Sequence, residues 1–573
     1  MRNDGRGLRA VALMCLLAWM VSSCTGQPSM PDLHTSSPLI GPYNVYSSPG
    51  HQPSGRLVLA DSGFPTAANP LFSTSRFDLE VTSALWAAPV VFDQHFHAQP
   101  DQLTEVPLPE NGDVQDGGKT IIMHLRHDLR WSDGQPILAS DFAYWWHLDQ
   151  DADTGASTTV GYDQIANITT PDIYTVILHM KRPFGPYLSY LPYAAPEHAW
   201  GHFPPIDLQN RQDIFQAPTV TDGPYKLALF VPQQSYTLAP NPDYRSTTFH
   251  GPFLAQMIYR AYATPDALSA ALRGGQVDVA AGYTEDELAS LAPLSTRLQT
   301  QITPAAAYEH LDFNLAHSVF QDIRVRQAFQ LAIDRCGLLR DILHAPDCSR
   351  LTNQVEPPPS LVYDASISPP GYDPRAAKQL LAQAGWLPGA DGLLYKQGQP
   401  FVVHLVTTSG NTLRAAVATR LQQDLRATGI QVTLTFYDLG TFFGVYERGG
   451  ILATGVYDLA LFGYANAPEP DDEYAVFHSS QIPSAANPDL GNYGRVVDPI
   501  IDQALTQGRY TVPYATRIQA YQRFLQRLAS EVYLIPLYAA VNILVVNTSL
   551  RNVVGNPNIA ENTWNIADWW LAS

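Results

Sequence analysis

Apolar and polar positions alternate between residues 121 and 126. Ile121, Met123 and Leu125 fall on one side, and Ile122, His124 and Arg126 on the other. A period of two predicts a half-buried strand. Further strands are expected at 56–60, 174–181, 311–314 and 430–436, and buried ones at 275–280 and 458–462. Helical spacing appears at 267–272, at 322–334 with Val325, Phe329 and Leu331 among its apolar positions, and at 413–427. Residues 372–386 carry their own punctuation. Asp373 suits the N-cap, Pro374 the first helical position and Gly385 the C-terminal cap.

The stretch from 125 to 146 joins a strand end, a tight turn and a helix start. Ser132-Asp133-Gly134-Gln135 is turn chemistry, because Gly134 takes a positive φ without steric cost. Ser140 or Asp141 is the expected cap of a helix carrying Phe142, Tyr144, Trp145 and Trp146. No nucleophile stands beside a base here, so a packing corner is expected.

As a pattern, Trp131-Ser132-Asp133-Gly134, followed by Pro136, Ala139 and Asp141, resembles the signature of the bacterial extracellular solute-binding proteins of family 5. Other markers follow the family's order. They are Asn69-Pro70, Arg182-Pro183-Phe184 after a strand, Gly223-Pro224-Tyr225 with Asn241-Pro242-Asp243-Tyr244, the helix at 322–334, and the helix at 372–386. One such motif says little, whereas an ordered series across about residues 56–550 is specific.

The resemblance implies an α/β, two-lobed, periplasmic-binding-protein-like fold with an extra inserted domain and a hinge between lobes. It implies a first lobe from 56–85, 215–300 and 534–573, an inserted domain at 86–214, and a second lobe at 301–533. It further implies capture of peptides or a similar oligomeric solute for an ABC permease and its ATPase. The expected protein is a monomer, not an enzyme, and uses no cofactor. A binder of a neutral solute such as an oligosaccharide, or an extracytoplasmic sensor or chaperone on the same fold, are the alternatives. Cleft walls are expected at Thr74, Ser75 and Arg76 and at Phe462, Tyr464 and Asn466.

Composition narrows this further. The 573 residues carry 45% hydrophobic and 15% charged positions, too apolar for a disordered chain and too long for one core. A net charge of -19, with no basic cluster, disfavours nucleic acid and anionic lipid surfaces. Arg2, Arg6 and Arg9 precede an apolar run from 10 to 21, too short to span a bilayer but suited to a signal segment. Residues 21–24 resemble a lipoprotein box, which implies that 1–23 is removed and Cys24 is lipidated. A Ser-, Pro- and Gly-rich tether is expected over 24–55. The membrane would then be touched through the lipid alone, outside the cytoplasm. Cys336 and Cys348 are expected to form a disulfide in an exported chain, with two buried thiols as the alternative.

Other candidate chemistry is weak. Gly117-Gly118-Lys119-Thr120 lacks the first phosphate-loop glycine, since residue 113 is aspartate. His95, His97, His124 and His127 have no clear partners at ligand spacing, so no metal is expected. Peptide-binding members place an aspartate after a Gly-Trp strand end to hold the peptide amine. Here Tyr464 stands at the tryptophan position, and Asn466 stands near the aspartate position. An uncharged anchor predicts an N-blocked or internally held peptide, or a neutral solute. Glu469 or Asp471 taking over the amine is the alternative.

Overall fold

The computed structural model describes residues 39–50, 52–288 and 296–572. The signal segment and Cys24 lie outside these residues. The described chain is built on a ten-stranded mixed sheet. In chain order its strands are β1 (Arg56–Asp61), β2 (Tyr225–Val231), β3 (Ser235–Pro240), β4 (Gln256–Ala261) and β5 (Val279–Ala280). They continue with β6 (Leu298–Phe313), β7 (Val402–Thr408), β8 (Gln431–Tyr437), β9 (Leu459–Ala465) and β10 (Leu534–Asn547). Across the sheet the order is β8-β7-β9-β6-β10-β5-β1-β4-β3-β2.

Both faces of this sheet are covered, and period-two alternation sorts the side chains. On β1, Leu57 and Leu59 enter the main first-lobe core, while Val58 and Ala60 pack on the opposite face. On β9, Leu459 and Leu461 enter the second-lobe core, and Ala460 and Phe462 face the other way. The fold therefore has two lobes, each with its own core.

The long central pair β6 and β10 belongs to both. These strands run antiparallel from Leu298↔Asn547 to Asp312↔Leu534, with register shifts between Pro304 and Tyr308 and between Glu309 and His310. Extra residues at such irregularities bend a ladder and increase its twist. The strand expected only at 311–314 is thus the end of a 16-residue one. Its first half was hidden because residues 303–307 include a proline and three alanines and show no alternation.

A separate four-stranded antiparallel sheet orders Val114–Gln115, Thr120–His124, Thr175–Met180 and Ile165–Asp172. The two predicted strands at its centre pair from Thr120↔His179 to His124↔Thr175. Its buried residues join the first-lobe core rather than forming one of their own.

Two local expectations change. Helix α1 (Arg76–Leu85) is followed by α2 (Ala139–Gln150), whose N-cap is Leu138, not Ser140 or Asp141. Asp141 acts from inside the first turn, where its Oδ2 accepts Leu138 N–H at 2.9 Å. Residues 39–50, expected as tether, pack on the body. Leu39 is buried, Tyr43 Oη donates to Asp568 Oδ2 at 2.7 Å, and the Tyr46 ring stacks on His250 at 3.8 Å. The apolar and aromatic side chains spaced through this segment give it enough surface to bury. The helix at Pro374–Gln383 has the expected Asp373 cap, and Gly385 has φ +88°.

Candidate functional site

The signature residues build a packing corner. Trp131 is fully buried and donates Nε1–H to Asp141 Oδ2 at 3.3 Å. Ser132 N–H donates to Thr221 O at 2.8 Å, and Thr221 N–H returns to Ser132 Oγ at 3.1 Å, so two of the sequence markers lock together. Asp222 then accepts Ala87 N–H at 3.1 Å and Gln102 Nε2–H at 2.8 Å. Gly223 N–H donates to Leu85 O at 2.8 Å. A Cβ there would lie 2.4 Å from the Leu85 carbonyl carbon, so only glycine allows this approach. The corner thereby fixes the end of α1 and the strand start that follows it.

The end of α1 that this corner fixes borders a cavity of about 290 Å³, although no residue of 131–141 lines it. Its first-lobe walls come from Thr82 and Ser83 of α1 and its C-cap Trp86, from 88–92, from 188–193 and from the C-terminal segment 558–567. Ala467 and Pro468 close it from the second lobe. Trp86 is steered by Nε1–H donating to Ala68 O at 2.8 Å. The C-terminal segment is fastened by asparagines. Asn556 Nδ2 donates to Phe92 O at 3.0 Å, Asn542 Nδ2 donates to Asn556 O at 2.8 Å, and Ser83 Oγ meets Thr563 Oγ1 at 2.6 Å.

Two carboxylates reach this cavity. Asp101 is buried, and burial pushes its carboxyl up to about 6 although Tyr244 Oη donates to Oδ1 at 2.9 Å. Glu561 is half-buried, and burial pushes it up to about 7, with Asn558 as its hydrogen-bonding side-chain partner. Aromatic rings supply most of the remaining contact surface: Trp86, Tyr190, Tyr193, Tyr244, Phe249 and Trp564.

The residues expected at the cleft walls sit around this cavity rather than on it. Thr74 and Ser75 donate both backbone N–H groups to Asp78 Oδ2 at 2.9 Å, closing a capping box at the start of α1. Arg76 pairs with Asp61 at 2.7 Å. It is the later turns of the same helix that line the cavity. On the second lobe, Phe462 is fully buried against His310, and the Tyr464 ring stacks on the same imidazole at 5.2 Å and 8°. Asn466 N–H donates to Ala306 O at 2.6 Å, and its Nδ2 donates to Val355 O at 2.9 Å. Asn466 therefore holds the loop that presents Ala467 and Pro468.

Glu561, Trp564 and Asp101 gave no signal in the sequence. They lie in segments without a marker, and only the chain path brings residues 101 and 561 to one cavity.

Among the described residues, no group of three His, Cys, Asp or Glu side chains has the geometry to hold a metal. None of their helices is long and apolar enough to cross a membrane.

Two α/β lobes joined by crossing strands, with a cavity closed from both sides, define a binding protein of the interlobe-capture class. A family profile described as "Bacterial extracellular solute-binding proteins, family 5 Middle" matches residues 103–484, and the chain belongs to this family. Oligopeptide-binding protein AppA of Bacillus subtilis is 24% identical, with 100% of each chain covered. The structure of AppA with a nonapeptide superposes at a TM-score of 0.70 and 23% identity, covering 91% of this chain and 100% of that one. NikZ of Campylobacter jejuni in complex with Ni(L-His) superposes at 0.73 and 23% identity, covering 90% and 99%.

Proposed function

We propose that this chain is the solute-capturing subunit of an ABC importer. It takes a short peptide or a similarly small oligomeric solute between its lobes and hands it to a permease driven by an ATPase. The observation that carries this is the cavity of about 290 Å³ with walls from both lobes. That volume lies near the lower end of ligand pockets, roughly 300–1,000 Å³, and suits a small solute better than a long peptide. Named relatives point the same way, since AppA of B. subtilis is called an oligopeptide-binding protein.

In this mechanism the ligand enters an open cleft, β6 and β10 flex at their register shifts, and the closed form docks on the permease. The first lobe takes 56–85, 215–300 and 534–573 with the inserted 86–214, and the second takes 301–533. The chain acts as a monomer, without catalysis, outside the cytoplasm. Cys24 carries the lipid that holds it at the membrane, and Cys336 and Cys348 form a disulfide.

Capture is tested by small-angle scattering. Adding saturating ligand, found by native mass spectrometry of the purified protein, should compact the particle. An unchanged curve, or chemical conversion of the ligand, refutes capture. For the anchor, Cys24→Ala should release the protein from membranes. Retention after a high-salt wash refutes lipidation.

A further inference from the structure

We propose that the ligand carries a cationic nitrogen beside an aromatic or aliphatic body, and that Glu561 is the residue that pairs with that nitrogen. This rests on the cavity being the capture site and names the chemistry it selects.

The charges around the cavity are one-sided. Asp101 and Glu561 both line it, and among the described residues that line it none is lysine, arginine or histidine. Asp101 already receives the Tyr244 hydroxyl at 2.9 Å, so its role is to back the site with negative charge. Glu561 is different. Its hydrogen-bonding side-chain partner is the neutral Asn558, and no cation offsets the burial that pushes it up to about 7. Beyond the lining, the Tyr190 hydroxyl on the cavity wall is raised by burial first, then by Asp472 and Asp471 of the second lobe, with Arg509 opposing them. Arg509 on that side is paired with Asp471 at 3.5 Å.

Each class of ligand meets this field differently. An anion would be repelled with no cation to receive it. A neutral body would leave Glu561, already pushed up to about 7, to hold a proton beside Asn558, and would gain no charge-assisted contact from it. A cation would gain a charge-assisted hydrogen bond from Glu561 and the negative faces of the surrounding rings, among them Trp86, Tyr193 and Trp564. The body of the ligand would fill the remaining apolar space. A peptide's free amine is one such nitrogen, and so is a small organic amine.

The assignment also accounts for the second lobe. Its contribution to the cavity is Ala467 and Pro468, neither of which carries charge. The expectation of an amine-indifferent site came from the missing carboxylate beside Tyr464. Here the carboxylate comes from the opposite wall, through a C-terminal segment the family markers do not reach.

The test uses three probes sharing one phenol ring: tyramine with an amine, tyrosol with a hydroxyl, and 4-hydroxyphenylacetate with a carboxylate. Binding is read by calorimetry at pH 7.5 on the whole mature protein and on Glu561→Gln and Glu561→Asp. Tyramine should bind at least tenfold tighter than tyrosol, and the acid should not bind. Glu561→Gln should collapse the gap between tyramine and tyrosol, and Glu561→Asp should keep part of it. If tyrosol or the acid matches tyramine, if the gap survives Glu561→Gln, or if none of the three binds, the cationic assignment is overturned. Should Glu561→Gln fail to fold, the probe series on the unaltered protein still decides. A mixed pool of N-acetylated and free peptides is run alongside. Equal binding of both kinds would leave interlobe capture standing while the cationic assignment falls.

Discussion

Arg517 clasps Glu469 in a two-pronged ion pair, with Nη1–H donating to Oε1 at 3.1 Å and Nη2–H donating to Oε2, and both side chains are buried. The Arg517 Nε–H also donates to Gly508 O at 3.1 Å. Glu469 is therefore committed within the second lobe and is not free to receive a ligand amine. Asp471 is held more loosely: its Oδ2 lies 3.5 Å from Arg509, and its buried Oδ1 has no hydrogen-bond partner.

Breaking this pair from one side should be severe. Arg517→Ala leaves Glu469 buried and unpaired, with an expected cost of about 3–5 kcal/mol. Replacing both with apolar residues of similar volume should cost much less. Denaturant unfolding of the two single variants and the double variant checks this. Additive losses would show that the two groups do not act as a unit.

Cys336 and Cys348 lie with their Cα atoms 5.3 Å apart and are bridged in the structure. Mature protein denatured without reductant should give no thiol labelling at either position. Reduction should lower stability by about 2–3 kcal/mol, as closing so short a loop implies. Two labelled cysteines would refute the bridge.

Asp141 should matter for stability and not for ligand contact. Its Oδ2 accepts both Leu138 N–H and Trp131 Nε1–H, and it does not line the cavity. Asp141→Ala leaves two buried or half-buried donors without a partner, at about 1–3 kcal/mol in total. Thermal unfolding should show the loss, while affinity of the folded protein for its ligand should be unchanged. A selective loss of affinity would place Asp141 in the site instead.

Stability should fall as pH rises from 5 to 8. Burial pushes Asp101 and Asp141 up to about 6, and Asp471 up to about 7. Burial also carries Asp222 and Glu473 well above the usual carboxylate range. Each of these groups binds a proton more tightly folded than unfolded. Their contribution is complete below the unfolded value, about 4, and is lost as pH rises through the folded one. Carboxylates held low, such as Asp322 beside Arg324 and Asp364 beside Ser366, titrate below this window. Melting at pH 5, 6, 7 and 8 at constant ionic strength checks the direction. An equal or higher midpoint at pH 8 would refute it.

The local pieces and the family are readable without any coordinates. Strand alternation at Ile121 and Met123, the Asp373-Pro374 helix start and the Gly385 stop depend on near neighbours, and each appears in the structure as expected. The Trp131 and Gly223 markers were legible because packing corners tolerate few residues. The site was not legible in the same way. Its first-lobe wall joins residues 82–101 to 558–567, and its second-lobe wall is a two-residue loop turn placed by Asn466 on the backbone of Val355 and Ala306. Local periodicity carries no record of contacts between segments more than four hundred positions apart. Long-range pairing of β6 with β10 decides which of the chain's many tyrosines, tryptophans and carboxylates share a cavity, and that pairing exists only in the tertiary structure.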